Sequence, residues 1–231
     1  MRNCKGIWEN AIGREWTKFY FPSEEPVIIP MVQEFYLALK QRKVSRPFYE
    51  MRSFVKFRGV NVLVTEMSIS QIYDVPYYYH DYLYKTDLKE FKNIDTKKVL
   101  RFLMEGKEML TYRMGTTIPE TFNQELMTPK AKIWIKFFCS RIWSITKMSE
   151  IGPIQATITY GILQKKQICI RTWIYKNMID IAKNLGKGIF FSNLITELYK
   201  RAGVPIERMD KTMNPPRKLL GDYLLKQFVL L

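Results

Sequence analysis

A single histidine and three cysteines in 231 residues leave this chain with few of the side chains from which metal and nucleophilic sites are built. His80 stands in a tyrosine-rich stretch, so no His–His metal pair exists and any His-dependent triad would rest on that one ring; an incidental surface histidine is the plainer reading. Cys4, Cys139 and Cys169 are odd in number and widely spaced, which excludes a disulfide framework and a zinc-ligand pair and points to a reducing compartment. Cys139 and Cys169 lie in apolar stretches, as inert core thiols do. There is no P-loop, no G-x-G-x-x-G and no G-x-S-x-G, and Gly186-Lys187-Gly188 is too short to cradle a phosphate. The most apolar run, Ile133 to Ile145, is interrupted by Lys136 and Arg141 and is too short to span a bilayer. The opening MRNCKGIWENAIGREW has no apolar core of a secretory signal. An intracellular chain with no membrane contact is the expectation, with the nucleus among its compartments.

Acidic residues are also scarce: 22 Asp and Glu face 37 Lys and Arg, a formal net charge of +15. Nucleases of the transposase type hold two divalent ions about 4 Å apart on clustered carboxylates, normally on or beside strands. From Thr128 to Lys200 only Glu150, Asp180 and Glu197 are acidic, none of them beside an expected strand. Asp74, Asp81 and Asp87 are close in sequence but fall on a loop and a helix end, where solvated or capping roles are the plainer reading. No catalytic residue, no metal site and no cofactor is predicted, and the chain reads as a non-enzyme.

What the chain does contain is the patterning of a mainly α (α+β) domain: a helical bundle with one small β-hairpin inserted after the N-terminal helices. With 47% hydrophobic residues it can bury a substantial core. A first helix is predicted over Trp8 to Phe19. A second is opened by Pro26, its Ile28, Val32, Phe35, Tyr36 and Leu39 on one face and Pro30 tolerated in the first turn. Gln41 to Pro47 reads as a basic loop. The period then changes to that of strands over residues 53–64, with Arg58-Gly59 between them as the turn of a hairpin. Ser68 with Gln71 has a capping-box pattern for a short helix that ends before Pro76. The aromatic patch Tyr77 to Tyr82 and a charged stretch from Lys85 to Lys98 follow, and Thr96 is the expected cap of a helix carrying Val99, Leu100 and Leu103. Gly106 to Thr128 reads as loop with short pieces of structure. The C-terminal helical half, 128–203, begins with Thr128-Pro129, a cap followed by proline at the first helical position. Helices are expected over Ile154 to Leu163, from Ile170 to Leu185 with Gly186 as stop, and from a Ser192 cap to Ala202 with Gly203-Val204-Pro205 as stop. Residues 1–213 are expected to form one domain. Residues 214–231 are expected to be a tail, linker-like at Asn214-Pro215-Pro216 and apolar at its end, as in a fragment of something longer.

A surplus of positive charge attracts polyanions, of which nucleic acid is the commonest. Arg42, Lys43 and Arg46 flank the hairpin, Lys56 and Arg58 extend that group, and Lys165, Lys166 and Arg171 cluster at a helix junction; these eight are the candidate phosphate contacts, with rings such as Tyr77 to Tyr79 available for stacking. The bland alternative for each is a solubilising surface charge. Lys132 and Lys136 read as the narrow solvent face of their helix, and Lys200 and Arg201 as favourable charges at a helix C-terminus.

The order of short motifs resembles the family called the putative plant transposon protein domain. Trp16-x-x-Phe19 is followed by Pro22, then by Val32-x-Glu34-Phe35-Tyr36-x-x-Leu39 and by Val55-Lys56-Phe57-Arg58-Gly59-Val60. Ser68 and Ile72-Tyr73 lead to Val75-Pro76; Trp134-x-x-Phe137, Phe191-x-x-Leu194-Ile195-x-x-Leu198 and Ala202-Gly203-Val204 complete the series, from about Trp16 to Val204. The resemblance implies an origin in plant mobile elements and a non-catalytic part of them, and it carries over no active-site residues. The zinc knuckle of a retroelement nucleocapsid and the signatures of reverse transcriptase, protease and integrase are absent from these residues. The leading functional expectation is a domain that binds nucleic acid electrostatically as an accessory or capsid-like component. The alternatives are a helical scaffold whose tyrosine-rich loop and apolar tail dock a protein partner or a second copy, and a degenerate transposase fragment.

Overall fold

The computed structural model describes residues 9–20, 26–44, 54–84, 86, 93–106, 110–112, 114, 119–143, 150–184, 190–207 and 210–213. In chain order the elements are α1 (Thr17–Tyr20), β1 (Val27–Ile28), α2 (Ile29–Val44), β2 (Phe54–Phe57), β3 (Val60–Leu63), α3 (Glu66–Tyr73) and α4 (Thr96–Met104). They continue as β4 (Leu110–Tyr112), β5 (Pro119–Asn123), a 3-10 turn (Gln124–Leu126), α5 (Pro129–Arg141), β6 (Glu150–Ile151), α6 (Pro153–Leu163), α7 (Ile170–Lys183), α8 (Ser192–Ala202) and β7 (Thr212–Met213). The fold is mainly helical, with the hairpin where the sequence places it. Contacts divide the chain into two compact units: Met1–Tyr77 with Ile142–Ser144 and Ile170–Leu231, and Tyr78–Arg141 with Ile145–Cys169. Among the described residues no helix is long and apolar enough to cross a membrane.

In the first unit, α2 supplies the central apolar stripe. Val32, Phe35, Tyr36 and Leu39 are buried at helical spacing, and α2 packs on β2, α7 and α8. The hairpin pairs Phe57 with Val60 and Phe54 with Leu63. Arg58 at φ 43° and Gly59 at φ 81° are both left-handed, the turn whose twist matches that of two antiparallel strands. Phe57 stacks on Tyr199 of α8 with centroids 4.3 Å apart, and the Tyr199 hydroxyl donates to the Met31 carbonyl at 3.2 Å. Gly203, at φ 71°, ends α8: its N–H reaches the Lys200 carbonyl at 3.1 Å and that of Val204 the Tyr199 carbonyl at 3.0 Å.

Several local expectations are corrected. The helix predicted over Trp8 to Phe19 is broken at 13–15, where Glu15 turns left-handed at φ 58° and the Trp16 N–H returns to the Ala11 carbonyl at 2.9 Å. Pro26 does not open a helix, because Val27 and Ile28 pair antiparallel with Met213 and Thr212; the helix starts at Ile29 with Pro30 in its first turn. That helix runs to Val44, through much of the expected basic loop. Helix α3 starts earlier than Ser68: Thr65 is its cap, with the Ser68 N–H donating to Thr65 Oγ1 at 3.1 Å and the Thr65 N–H to Ser68 Oγ at 3.0 Å. Asp95 rather than Thr96 caps α4, accepting from the Lys98 N–H at 2.9 Å. Phe191, left-handed at φ 55°, precedes α8, of which Ser192 is the first residue. Cys4, Lys85 and residues 87–92 of the charged stretch (Asp87 among them), the Gly186 stop and the tail from Asn214 lie outside the described residues.

The second unit builds its core from Val99, Leu100 and Leu103 of α4, Ala131 and Ile135 of α5, and Ala156 and Tyr160 of α6. Thr128 caps α5 as expected, accepting from the Ala131 N–H at 3.2 Å. At the start of α6 the Gly152 N–H donates to Gln155 Oε1 at 2.6 Å, with Pro153 in the first turn. The stretch read as loop, Gly106 to Thr128, holds β4 and β5, which with β6 form a three-stranded antiparallel sheet in the order β4-β5-β6, with Leu110 opposite Phe122 and Phe122 opposite Ile151.

Candidate nucleic-acid interface

In the first unit, two of the expected phosphate contacts are engaged by the protein itself. The Arg58 guanidinium donates to both oxygens of Asp210, at 2.6 and 2.9 Å, and to Glu34 Oε1 at 3.1 Å and the Pro205 carbonyl at 3.3 Å. Glu207 Oε1 lies 3.8 Å from its Nε. That bidentate contact holds the Asp210 carboxyl below the usual carboxylate range. Arg171 is buried, its guanidinium 3.9 Å from the centroid of the Tyr77 ring and its Nε 3.8 Å from Glu66 Oε2. Thr172 donates to the same Glu66 oxygen at 2.7 Å. Lys56 is exposed on β2. Arg42 and Lys43 fall in the last turn of α2, where only their backbone is described, and Arg46 lies outside the described residues.

The second unit brings Lys165 and Lys166 together with the tyrosine-rich loop. Helix α6 ends in a left-handed turn at Lys165, φ 56°, with the Lys165 N–H on the Ile162 carbonyl at 3.0 Å and the Lys166 N–H on the Gly161 carbonyl at 2.7 Å. Both lysines are exposed. The strand of chain just beyond them is laced to the loop: the Tyr82 N–H donates to the Gln167 carbonyl at 2.8 Å, and the Cys169 N–H to Asp81 Oδ2 at 3.2 Å. Asp81 Oδ1 accepts from the Leu83 N–H at 3.0 Å, closing the turn from within. Tyr82 lies flat enough on α6 that a Cβ at Gly161 would sit 2.8 Å from its Cδ1, so this contact requires glycine. Leu83 is buried beside it.

Outward from this docked base point Tyr79, 69% exposed, Tyr84, 52% exposed, and His80. The His80 ring stands at 86° to both tyrosine rings, 4.6 Å from Tyr79 and 4.3 Å from Tyr84, and the two tyrosines are 32° from parallel at 6.2 Å. Sequence reasoning singled out Tyr77 to Tyr79 and passed over Tyr84, whose place in the cluster depends on a turn at Asp81 to Tyr84. It also passed over Lys97, Lys98 and Arg101, exposed on α4 opposite the buried Val99, Leu100 and Leu103. Helical periodicity was the signal that separates them from the core face. Tyr160 of α6 meets Phe102 of α4 at 5.2 Å and Tyr82 of the loop at 6.4 Å, so α4 and the loop flank one ring.

Among the described residues no group of His, Cys, Asp and Glu could hold a metal ion. Asp74 ends α3 in a left-handed conformation, Asp180 pairs with Lys183 at 2.9 Å and Glu197 with Arg201 at 2.9 Å. Cys139 and Cys169 are buried free thiols, and burial pushes the Cys139 thiol up to about 11, away from the thiolate that nucleophilic chemistry needs.

A family model described as a putative plant retrotransposon-related domain matches residues 12–205. Among curated proteins nothing matches the chain, and among solved structures nothing does. The motif residues that carry the earlier resemblance are mostly core and turn positions: Trp16, Phe19, Val32, Phe35, Val55, Phe57, Leu194, Ile195 and Leu198 are all buried, and Gly59 and Gly203 supply positive φ.

Proposed function

Because the chain belongs to the plant retrotransposon-related domain family, we propose that it is a non-catalytic domain of a mobile-element protein that binds nucleic acid by charge, as an accessory or capsid-like component. The observation that carries this reading is the presence, within one unit, of the exposed Lys165–Lys166 turn and of an exposed aromatic loop that is hydrogen-bonded to the residues just after that turn, Gln167 and Cys169. Asp81, the acid inside that assembly, spends both oxygens on backbone N–H groups. Lys97, Lys98 and Arg101 add charge on α4, and the chain as a whole carries +15. Phosphates gain from such cations mainly by releasing condensed counterions, a gain that salt erodes. Asp74 ends α3, and Asp180 and Glu197 are each held by a cation of their own helix, settings that favour the non-catalytic half of the reading, although Glu150, expected away from any strand, lies on β6.

The test is an anisotropy titration of a labelled oligonucleotide with the full chain at stepped salt. Affinity is expected to fall linearly in log–log form, with a slope of roughly −0.7 to −0.9 per phosphate engaged. Lys165→Ala/Lys166→Ala is expected to make that slope shallower. Absence of binding at low salt overturns the proposal.

A further inference from the structure

We infer that Tyr79, His80 and Tyr84, together with the Lys165–Lys166 turn, form a base-stacking site for single-stranded nucleic acid. The inference rests on the nucleic-acid reading above and adds to it the strand form that is recognised and the groups that recognise it.

Three aromatic rings held outside a core need an account. The loop that carries them has an apolar inner side, Tyr82 and Leu83, which docks it on α6. Its backbone is fixed by Asp81 and by the bond from Tyr82 to Gln167. The outer rings contribute little to that docking, since Tyr79 and Tyr84 remain more than half exposed. They are nevertheless ordered against one another: His80 stands edge-on to two tyrosines whose rings are tilted 32° from each other. A loop so anchored presents ring faces with little conformational entropy left to lose, which favours binding by flat partners.

The partner is identified by two chemistries side by side. Aromatic faces attract the π-faces of bases, and lysines one and two residues before the Gln167 to which the loop is bonded attract the phosphates that join those bases. In a duplex the base faces are already stacked on one another and hidden from a side-chain ring, so only an unpaired strand satisfies both halves of the site. Sequence preference is expected to be weak, because every base offers a face and neither the rings nor the lysines read a base edge.

The test compares wild-type protein on a thymidine oligonucleotide of about twelve nucleotides with a duplex of equal length at one salt concentration. Wild type is expected to bind the single strand more tightly. Tyr79→Ala/Tyr84→Ala is expected to weaken single-strand binding roughly ten-fold or more while leaving its salt slope and the duplex affinity nearly unchanged. Tyr79→Phe/Tyr84→Phe, which keeps the faces, is expected to retain the affinity. Lys165→Ala/Lys166→Ala is expected to reduce the slope instead. An alanine pair that binds the single strand as wild type does, or that weakens both strand forms equally, overturns the stacking site and leaves the charge-based reading standing. Wild type that binds neither form overturns both.

Discussion

The Arg58 guanidinium grips the Asp210 carboxylate through two parallel hydrogen bonds of 2.6 and 2.9 Å across 152 residues of sequence. The same turn that sets the hairpin's register therefore ties it to the segment leading into β7. Arg58→Met, which keeps the stem but removes the fork, should cost on the order of 2–3 kcal/mol, because it strands the largely covered Asp210 carboxylate. Arg58→Lys should recover only part of this, since an ammonium cannot make both bonds in one plane. Urea unfolding of the three proteins measures the difference.

Acid should weaken this clasp in a defined direction. The folded Asp210 carboxyl lies below its unfolded value of about 3.9, so its contribution is fully present above roughly pH 5 and is lost as pH falls through the folded value. Unfolding midpoints measured from pH 6 downward should therefore decline more steeply for wild type than for Arg58→Met. Parallel declines would show that Asp210 gains nothing from Arg58.

Gly161 lies under the tyrosine loop, and alanine there should be harmful despite its higher helix propensity. Propensity favours alanine by about 1 kcal/mol. Against that, the new methyl would meet Tyr82 Cδ1 at 2.8 Å and Ile168 Cδ1 at 3.0 Å, and overpacking of this kind costs about 1–3 kcal/mol. Gly161→Ala should lower stability in equilibrium unfolding and, by shifting Tyr82, also weaken single-strand binding. A stabilised variant would show that the loop gives way freely.

Features fixed by adjacent residues were legible from the sequence. The Arg58-Gly59 turn sits between two apolar runs, the Thr128-Pro129 start is local, and Gly203-Val204 closes α8 with its own backbone. Features made by distant partners were not. Val27 and Ile28 become a strand only because Thr212 and Met213 lie against them, and the strands β4 to β6, two to five residues long, depend on a pairing between Phe122 and Ile151. The candidate site divides the same way. Lysines and tyrosines could be named from composition, but the acids that occupy Arg58, and the Tyr77 ring and Glu66 carboxylate that occupy Arg171, come from other elements. Spacing along the chain gave no sign of which cations the fold would use itself. The link between Tyr82 and Gln167, which joins the loop to the chain just after the lysine turn, spans residues far apart in sequence and is visible only once the loop packs on α6.

Ultraviolet crosslinking of the full chain to a thymidine oligonucleotide, followed by peptide mapping, tests the central claim most directly, because it joins only groups already in contact. The account predicts crosslinked peptides that contain Tyr79 or Tyr84. Crosslinks confined to peptides of the first unit, or a chain that captures no oligonucleotide at low salt, would contradict it.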